Sequence, residues 1–253
     1  MTSPSKIAII TGGSRGIGRN TVLTLAERGV DTVFTYNTNK AEADKVVDLA
    51  VDAGRRAVAL QLDVGDAGVF DGFVERVRTA LRELGADRFD FLVNNAGTSS
   101  SASFQNATEA ELDSIFNVHF KGVFLLTQKL LPLINDGGRI VNISSALAQR
   151  PMVGRAVYGP MKAAVEALTK YMALELGPRR IAVNVVAPGA VATDFSGGMV
   201  RDNPDVNKMV AAHTALGRAG LPEDIGPMIA SLLSEDNRWV NGQRIEVSGG
   251  MGF

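Results

Sequence analysis

Two residues in this sequence have the spacing of a proton-transfer pair. Tyr158 and Lys162 lie at i and i+4 in a stretch that predicts a helix, so both side chains project from one face. An ammonium beside a phenol favours the phenolate. It brings a group that ordinarily ionises near pH 10 towards neutrality, where it can give and take a proton. Alone, Y-x-x-x-K is weak, because any helix can carry it by chance. Ser145 adds a hydroxyl 13 residues before Tyr158, at the end of a predicted strand, where side chains of an open α/β sheet meet a ligand.

A second pattern lies near the start. Thr11-Gly12-Gly13-Ser14-Arg15-Gly16-Ile17-Gly18 follows the strand candidate Ile7 to Ile10 and opens a helix candidate, the context that a dinucleotide-binding turn requires. A side chain at Gly12 or Gly16 would obstruct the turn or the approach of a pyrophosphate, Gly18 allows close helix–sheet packing, and free N–H groups at the helix start favour an anion. The G-x-x-x-G-x-G spacing lacks the Gly-Lys-Ser/Thr ending of a triphosphate loop. The same residues also spell G-x-S-x-G, a hydrolase elbow, but such an elbow needs earlier strands and a catalytic His, and nothing marks His119 or His213. Eighteen residues past Gly18, where an acid would bind a ribose 2′-hydroxyl, stands Tyr36, followed by Asn37-Thr38-Asn39-Lys40. With Arg15 available for a 2′-phosphate, NADPH is expected over NADH.

The remaining composition removes other chemistries. With no Cys and two His, thiolate nucleophiles, disulfide frameworks and zinc ribbons are excluded, and no metal site is expected. Lys+Arg number 26 against 27 Asp+Glu, a net charge of −1 without basic clusters, so no nucleic-acid partner is expected. The first apolar run, Ile7 to Ile10, is too short for a secretory leader, and later apolar stretches fall short of the roughly 18 residues of a membrane span. A cytoplasmic protein without a membrane partner is expected.

The elements that must position these residues alternate from end to end. Strand candidates are Ile7 to Ile10, Thr32 to Tyr36, Ala57 to Leu62, Phe89 to Asn94, Arg139 to Ile143, Ala182 to Val186 and Arg244 to Val247, with helical patterns between them. That predicts an α/β fold: a Rossmann-type, doubly wound parallel sheet of about seven strands with helices on both faces. No linker divides the chain, so residues 1–253 are expected to form a single domain. Thr108 and Glu111 form a capping box, opening a helix that should run to about Leu131. On it Phe116, Phe120 and Val123 lie within about 60° of one another at 100° per residue, with Val118 and Leu125 opposite. A helix apolar on two sides needs two burial partners, the second being another subunit or a neighbouring helix.

Taken together, the residues quoted resemble the short-chain dehydrogenase/reductase family over essentially the whole chain. Gly12, Ser14, Arg15, Gly16, Ile17 and Gly18 match its cofactor turn, Asp63-Val64 its adenine contact, and Asn94, Asn95, Ala96 and Gly97 its element after the fourth strand. Asn117, Ser145, Tyr158 and Lys162 match its catalytic tetrad, and Pro188-Gly189 with Val191 and Thr193 the segment that holds the nicotinamide amide. The resemblance implies hydride transfer from NADPH to a ketone, with Tyr158 as proton donor, Ser145 polarising the carbonyl, Lys162 acidifying Tyr158 and binding ribose, and Asn117 holding a water. It implies a homo-oligomer, a tetramer by family pattern.

Leu147, Met152, Val153, Phe195 and Met199, with Ser145 and Tyr158, are expected to line an apolar substrate pocket under a lid at about 190–216, hinged at Ser196-Gly197-Gly198. Arg150 and Arg155 read as solvated loop charges. Within the family the chain is similar to bacterial 3-oxoacyl-carrier-protein reductases and related ketone reductases; apart from Arg179-Arg180 it offers no basic patch for a carrier protein, which favours a small ketone. The alternative of another class is a non-enzymatic NADP(H)-binding redox sensor, disfavoured because such sensors commonly lose the tyrosine or lysine. Ser248-Gly249-Gly250 and Gly159-Pro160 depart from the family pattern without touching the chemistry.

Overall fold

In the computed structural model, which describes residues 5–252, seven strands pair in the order β3-β2-β1-β4-β5-β6-β7, every pair parallel. They are β1 (Ile7–Ile10), β2 (Asp31–Tyr36), β3 (Ala57–Gln61), β4 (Phe89–Asn94), β5 (Ile134–Ile143), β6 (Ala182–Pro188) and β7 (Arg244–Val247). The expected fold class is the one observed. Residues 1–4 and 253, the ends of the expected single domain, lie outside the described residues.

Side-chain alternation sorts the core into two layers. Ile7 and Ile9 join one with Phe70, Phe73 and Leu126, whereas Ala8 and Ile10 join the other with Leu25, Phe34 and Ile229. A parallel sheet covered on both faces needs such uniformly apolar strands. The order reverses between β1 and β4, so the carboxyl ends of these strands open a crevice at the switch point, where ligands of open α/β sheets bind.

The covering helices are α1 (Gly16–Glu27), α2 (Lys40–Asp52), α3 (Phe70–Glu83), α4 (Glu109–Phe116), α5 (Gly122–Leu130), α6 (Tyr158–Glu175), the short α7 (Met199–Asp202), α8 (Pro204–Ala212) and α9 (Pro222–Leu232). The helix expected from Thr108 begins at its capping box, with the Glu111 N–H donating to Thr108 Oγ1 at 3.2 Å. It is not one regular helix. Asn117–Lys121 form a π-helical turn between α4 and α5, closed by the Gly122 N–H donating to the Asn117 carbonyl. Crowding accompanies the widening, since a Cβ at Gly122 would stand 2.3 Å from the Val64 carbonyl oxygen.

β5 begins five residues earlier than predicted. Asn135-Asp136-Gly137-Gly138 reads as a loop, yet it runs beside β4 with a register irregularity at Phe89 and Phe91. Gly138 permits this, because a Cβ there would lie 2.7 Å from the Asp90 carbonyl oxygen. Among the described residues no helix is long and apolar enough to cross a membrane, and no group of three or more His, Cys, Asp or Glu is placed to hold a metal.

Candidate active site

The glycine-rich turn is bolted to the end of β4. Asn95 Nδ2 donates to the Thr11 and Gly12 carbonyls at 2.9 and 3.0 Å, and Thr11 Oγ1 accepts from the Asn95 and Ala96 N–H groups at 3.0 Å each. A Cβ at Gly18 would lie 2.1 Å from the Gly12 oxygen, so α1 packs against the turn as closely as glycine allows. Gly12 and Gly16 hold φ of +67° and +54°, the left-handed region that other residues resist. Arg15 provides no side-chain cap for α1, leaving first-turn N–H groups and the positive end of the helix dipole for an anion. Beside them is a groove of about 510 Å³ whose walls include Ser14, Arg15, Arg19, Asn37, Thr38 and Thr193. These residues fit a dinucleotide phosphate carrying a second phosphate on its ribose.

Across the crevice, Tyr158 opens α6 and is almost wholly buried, as is Lys162 one turn on. Lys162 Nζ donates to the Ile143 carbonyl at 2.8 Å and lies 5.6 Å from the Tyr158 ring centre. Phe195 stands 6.0 Å from the same ring, and His119 meets it edge-on at 5.2 Å. Burial pushes the Tyr158 phenol up to about 12, against hydrogen bonding to Ser145 and the Arg155 charge, which pull it down. Burial also brings the Lys162 ammonium down to about 7. The expected acidification of the phenol by Lys162 is therefore not what governs this pair. Desolvation penalises the charged form of each, leaving a neutral phenol beside an amine poised near neutrality.

The end of β5 that carries Ser144 and Ser145 is braced from behind. Ser144 Oγ donates to Glu166 Oε1 at 2.7 Å, and Arg244 Nε on β7 donates to the same oxygen at 2.8 Å. Gln149, on the loop after Ser145, donates to the other Glu166 oxygen. Arg244 and Arg150 then share Glu246. One level deeper, Asn94 donates to Asn142 Oδ1 at 2.8 Å and to Thr127, and Asn142 donates to Thr169 at 2.9 Å. Asn142 and Ser144 are thus hydrogen-bonders at the end of β5.

Most residues singled out from the sequence converge here, with instructive exceptions. Ser145, Tyr158, Lys162 and Phe195 meet at the crevice, and Val64 and Ala96 line a small recess beside it. Pro188 ends β6, Gly189 packs on Ser248 and Val191 bridges to Gly220. Tyr36 is turned into the core with Phe34, leaving Asn37 to face the groove. Asn94 spends both amide hydrogens inside the fold. Gly97 is bare because the His119 ring occupies its space, a Cβ there falling 2.7 Å from Cε1. Asp63 accepts from the Gly65 N–H in its own turn. Val153 is 94% exposed, Met152 and Met199 are about half-exposed and Leu147 is partly buried. Asn117 is half-buried in the π-helical turn, its carbonyl accepting from the Gly122 N–H, and the His119 ring two residues on meets Tyr158. Arg150 and Arg155 are not simply solvated loop charges but partly buried and engaged: the first pairs with Glu246, the second donates to the Ser100 carbonyl at 2.8 Å.

His119 and Glu166 were missed. A signal for His119 existed: Ile115, His119, Gly122, Leu126 and Leu130 form the buried stripe of this helical stretch, and Asn117 falls outside it.

The same chain is matched by a family model described as Enoyl-(Acyl carrier protein) reductase, over residues 12–252. It is 40% identical over 246 residues to an uncharacterized oxidoreductase of Methylorubrum extorquens, covering 97% of each. A hydroxynaphthalene reductase-like protein of Metarhizium brunneum is 36% identical, covering 97% of this chain and 94% of its own. Among solved structures, the angucycline C-6 ketoreductase LanV with bound NADP superposes with a TM-score of 0.92 at 34% identity, covering 97% of this chain and 95% of that one. Full-length matches of this depth, joined to the glycine turn on β4 and the Tyr158–Lys162 pair at the switch point, mean that the chain belongs to the short-chain dehydrogenase/reductase family of oxidoreductases.

Proposed function

We propose that this protein is an NADPH-dependent reductase that converts a neutral, largely apolar ketone to a secondary alcohol. The observation that carries the reading is the Tyr158 phenol, buried between Lys162 and the apolar ring of Phe195 and hydrogen-bonded to Ser145. When bound, NADPH supplies the hydride. Arg15, Asn37 and Thr38 would hold its ribose phosphate, and the uncapped start of α1 its pyrophosphate. Ser145 donates a hydrogen bond to the carbonyl oxygen, and Tyr158 gives that oxygen its proton as negative charge develops. Lys162 returns a proton to Tyr158.

Names among the relatives, hydroxynaphthalene reductase-like protein and angucycline ketoreductase, favour an aryl or cyclic ketone. A carrier-protein thioester is less well supported, since Arg179 is tied to Asp136 and to the Leu131 and Ile134 carbonyls. Residues 190–216 act as the substrate lid, with Ser196, Gly197 and Gly198 all at positive φ as its hinge. Val118 and Leu125 pack within the chain, whereas Phe116, Phe120 and Phe124 form an aromatic ladder with centroids 5.8 and 6.5 Å apart, its ends exposed. That face would pair subunits of a homo-oligomer, which light scattering tests; a monomer refutes it.

NADPH consumption against aryl ketones, cyclic ketones, acetoacetyl thioesters and sugars tests the activity. Turnover is expected on the first two classes. Tyr158→Phe should lower it by at least about 10³-fold while NADPH still binds, and activity within tenfold of the parent would refute the role of Tyr158. Arg15→Ala should narrow the preference for NADPH over NADH by about tenfold; an unchanged preference removes Arg15 from the phosphate site.

A further inference from the structure

One wall of the groove beside the glycine turn comes from a distant part of the chain: Thr193, Asp194 and Arg201 line it together with Ser14, Arg15 and Arg19. A Cβ at Gly16 would stand 3.4 Å from the Thr193 side chain, so this segment crosses close over the uncapped start of α1. Asp194, the next residue, brings a carboxylate to a place suited to phosphate, where like charges repel. Arg201 on α7 answers that charge. Ser196, Gly197 and Gly198, at φ of +55°, +68° and +76°, turn the chain back on itself, and Arg201 Nη1 pairs with Asp194 seven residues earlier. Its Nε and Nη2 donate to the two Asp202 carboxylate oxygens at 2.7 and 2.8 Å. A guanidinium carries five N–H groups in a rigid fork. The two carboxylates fix the plane of that fork, and among the described residues none takes the second hydrogen of Nη1 or of Nη2.

We infer that Arg201 is a pyrophosphate-binding residue carried by the lid: it offers its remaining N–H groups to the diphosphate of the dinucleotide and cancels the charge of Asp194 beside it. This rests on the reading of the groove as the cofactor site. Arginine suits the task because its planar fork matches phosphate oxygens and never loses its charge. Place selects the pyrophosphate over the ribose phosphate. Arg201 is joined through Asp194 and Thr193 to the Gly16 end of the groove, whereas the ribose phosphate belongs with Asn37 and Thr38. Arg15 and Arg201 therefore divide the work, the first reading the phosphate that distinguishes NADPH and the second holding the diphosphate that NADPH and NADH share.

Equilibrium binding tests this without turnover. NADPH and NADH are titrated by nicotinamide fluorescence, and ADP-ribose, which keeps the diphosphate but lacks nicotinamide, by displacement of NADPH. Arg201→Ala should raise the Kd of all three by about tenfold, whereas Arg15→Ala should weaken NADPH alone. A loss confined to NADPH overturns the inference by moving Arg201 to the ribose phosphate, and a change below about threefold for all three overturns it outright. Removing Arg201 also bares Asp194, so the contact must be separated from the repulsion. The double variant Arg201→Ala/Asp194→Asn is compared with Asp194→Asn: a loss that stays above about threefold supports the contact, and recovery to within that margin overturns it. Melting without nucleotide should match the parent in each variant, because all three side chains of the cluster are about half-exposed. A parent that binds none of the three nucleotides refutes the cofactor reading of the groove and the inference with it, whereas unchanged binding in Arg201→Ala refutes the role of Arg201 alone.

Discussion

Two buried charges sit at opposite ends of the sheet and are treated in opposite ways. Asp31, at the start of β2, is 0% exposed. It accepts from Arg55 Nε at 2.9 Å, from the Arg56 N–H at 3.0 Å and from Arg56 Nη2 at 2.8 Å. Burial alone would push its carboxyl up; the Arg56 N–H and the two guanidinium groups outweigh it and hold the carboxyl below its ordinary value. Lys162, near the carboxyl end of β5, is as deeply placed but is held by a carbonyl in place of a carboxylate. Burial therefore wins, and the ammonium drops to about 7. A charge that only has to hold strands together is saturated with partners. The one proposed to pass a proton is left short of them, at a cost in stability.

Replacing each charge should separate these roles. Lys162→Met should abolish turnover, a fall of at least about 10³-fold, while raising stability at pH 6. The sign follows from linkage: the folded pKa lies below the ordinary 10.5, so the unfolded chain binds the extra proton between about pH 7 and 10.5, and the parent gains stability as pH rises through that window. Urea unfolding without added NADPH should show the variant ahead at pH 6 by on the order of a few kcal/mol, with the gap closing towards pH 10; a constant gap would break the comparison.

Asp31→Asn should leave kcat unchanged within twofold yet cost about 2–3 kcal/mol, less than a fully buried pair because Arg56 is half-exposed. Its carboxyl is depressed below the ordinary 3.8, so the parent's advantage is complete above about pH 4 and fades as pH falls further. Glu166→Gln combines the two roles. It keeps a partner for Ser144 but loses the charge facing Arg244, and should lower kcat about threefold to tenfold and stability by about 1–2 kcal/mol. Smallest of all, Arg78→Ala removes an exposed pair with Glu75 and should shift stability by no more than about 0.5 kcal/mol.

The central strands were legible because β1, β2 and β6 are short apolar, β-branched runs buried on both faces, and the glycine turn because only glycine tolerates its geometry at Gly12 and Gly16. Tyr158 and Lys162 were legible because a helix fixes i and i+4 on one face. What failed were positions that no motif marks or where direction matters. His119 lies on the regular buried stripe with Ile115, Gly122 and Leu126, but a lone buried histidine carries no motif. Tyr36 stands where expected in sequence, but an aromatic side chain at the end of a buried strand gains more from the core than from the groove. The acidity of Tyr158 was misjudged because spacing reports which groups are near, whereas burial decides the state in which they rest.

The Glu166–Arg244–Glu246–Arg150 chain ties the loop after Ser145 to the last strand, β7. β7 is an edge strand of the sheet. A disturbance at that edge would reach the loop after Ser145 through Arg244, Glu166 and Arg150, whereas the glycine turn leans on β4 in the middle of the sheet. The two halves of the crevice are therefore exposed to different borders of the molecule.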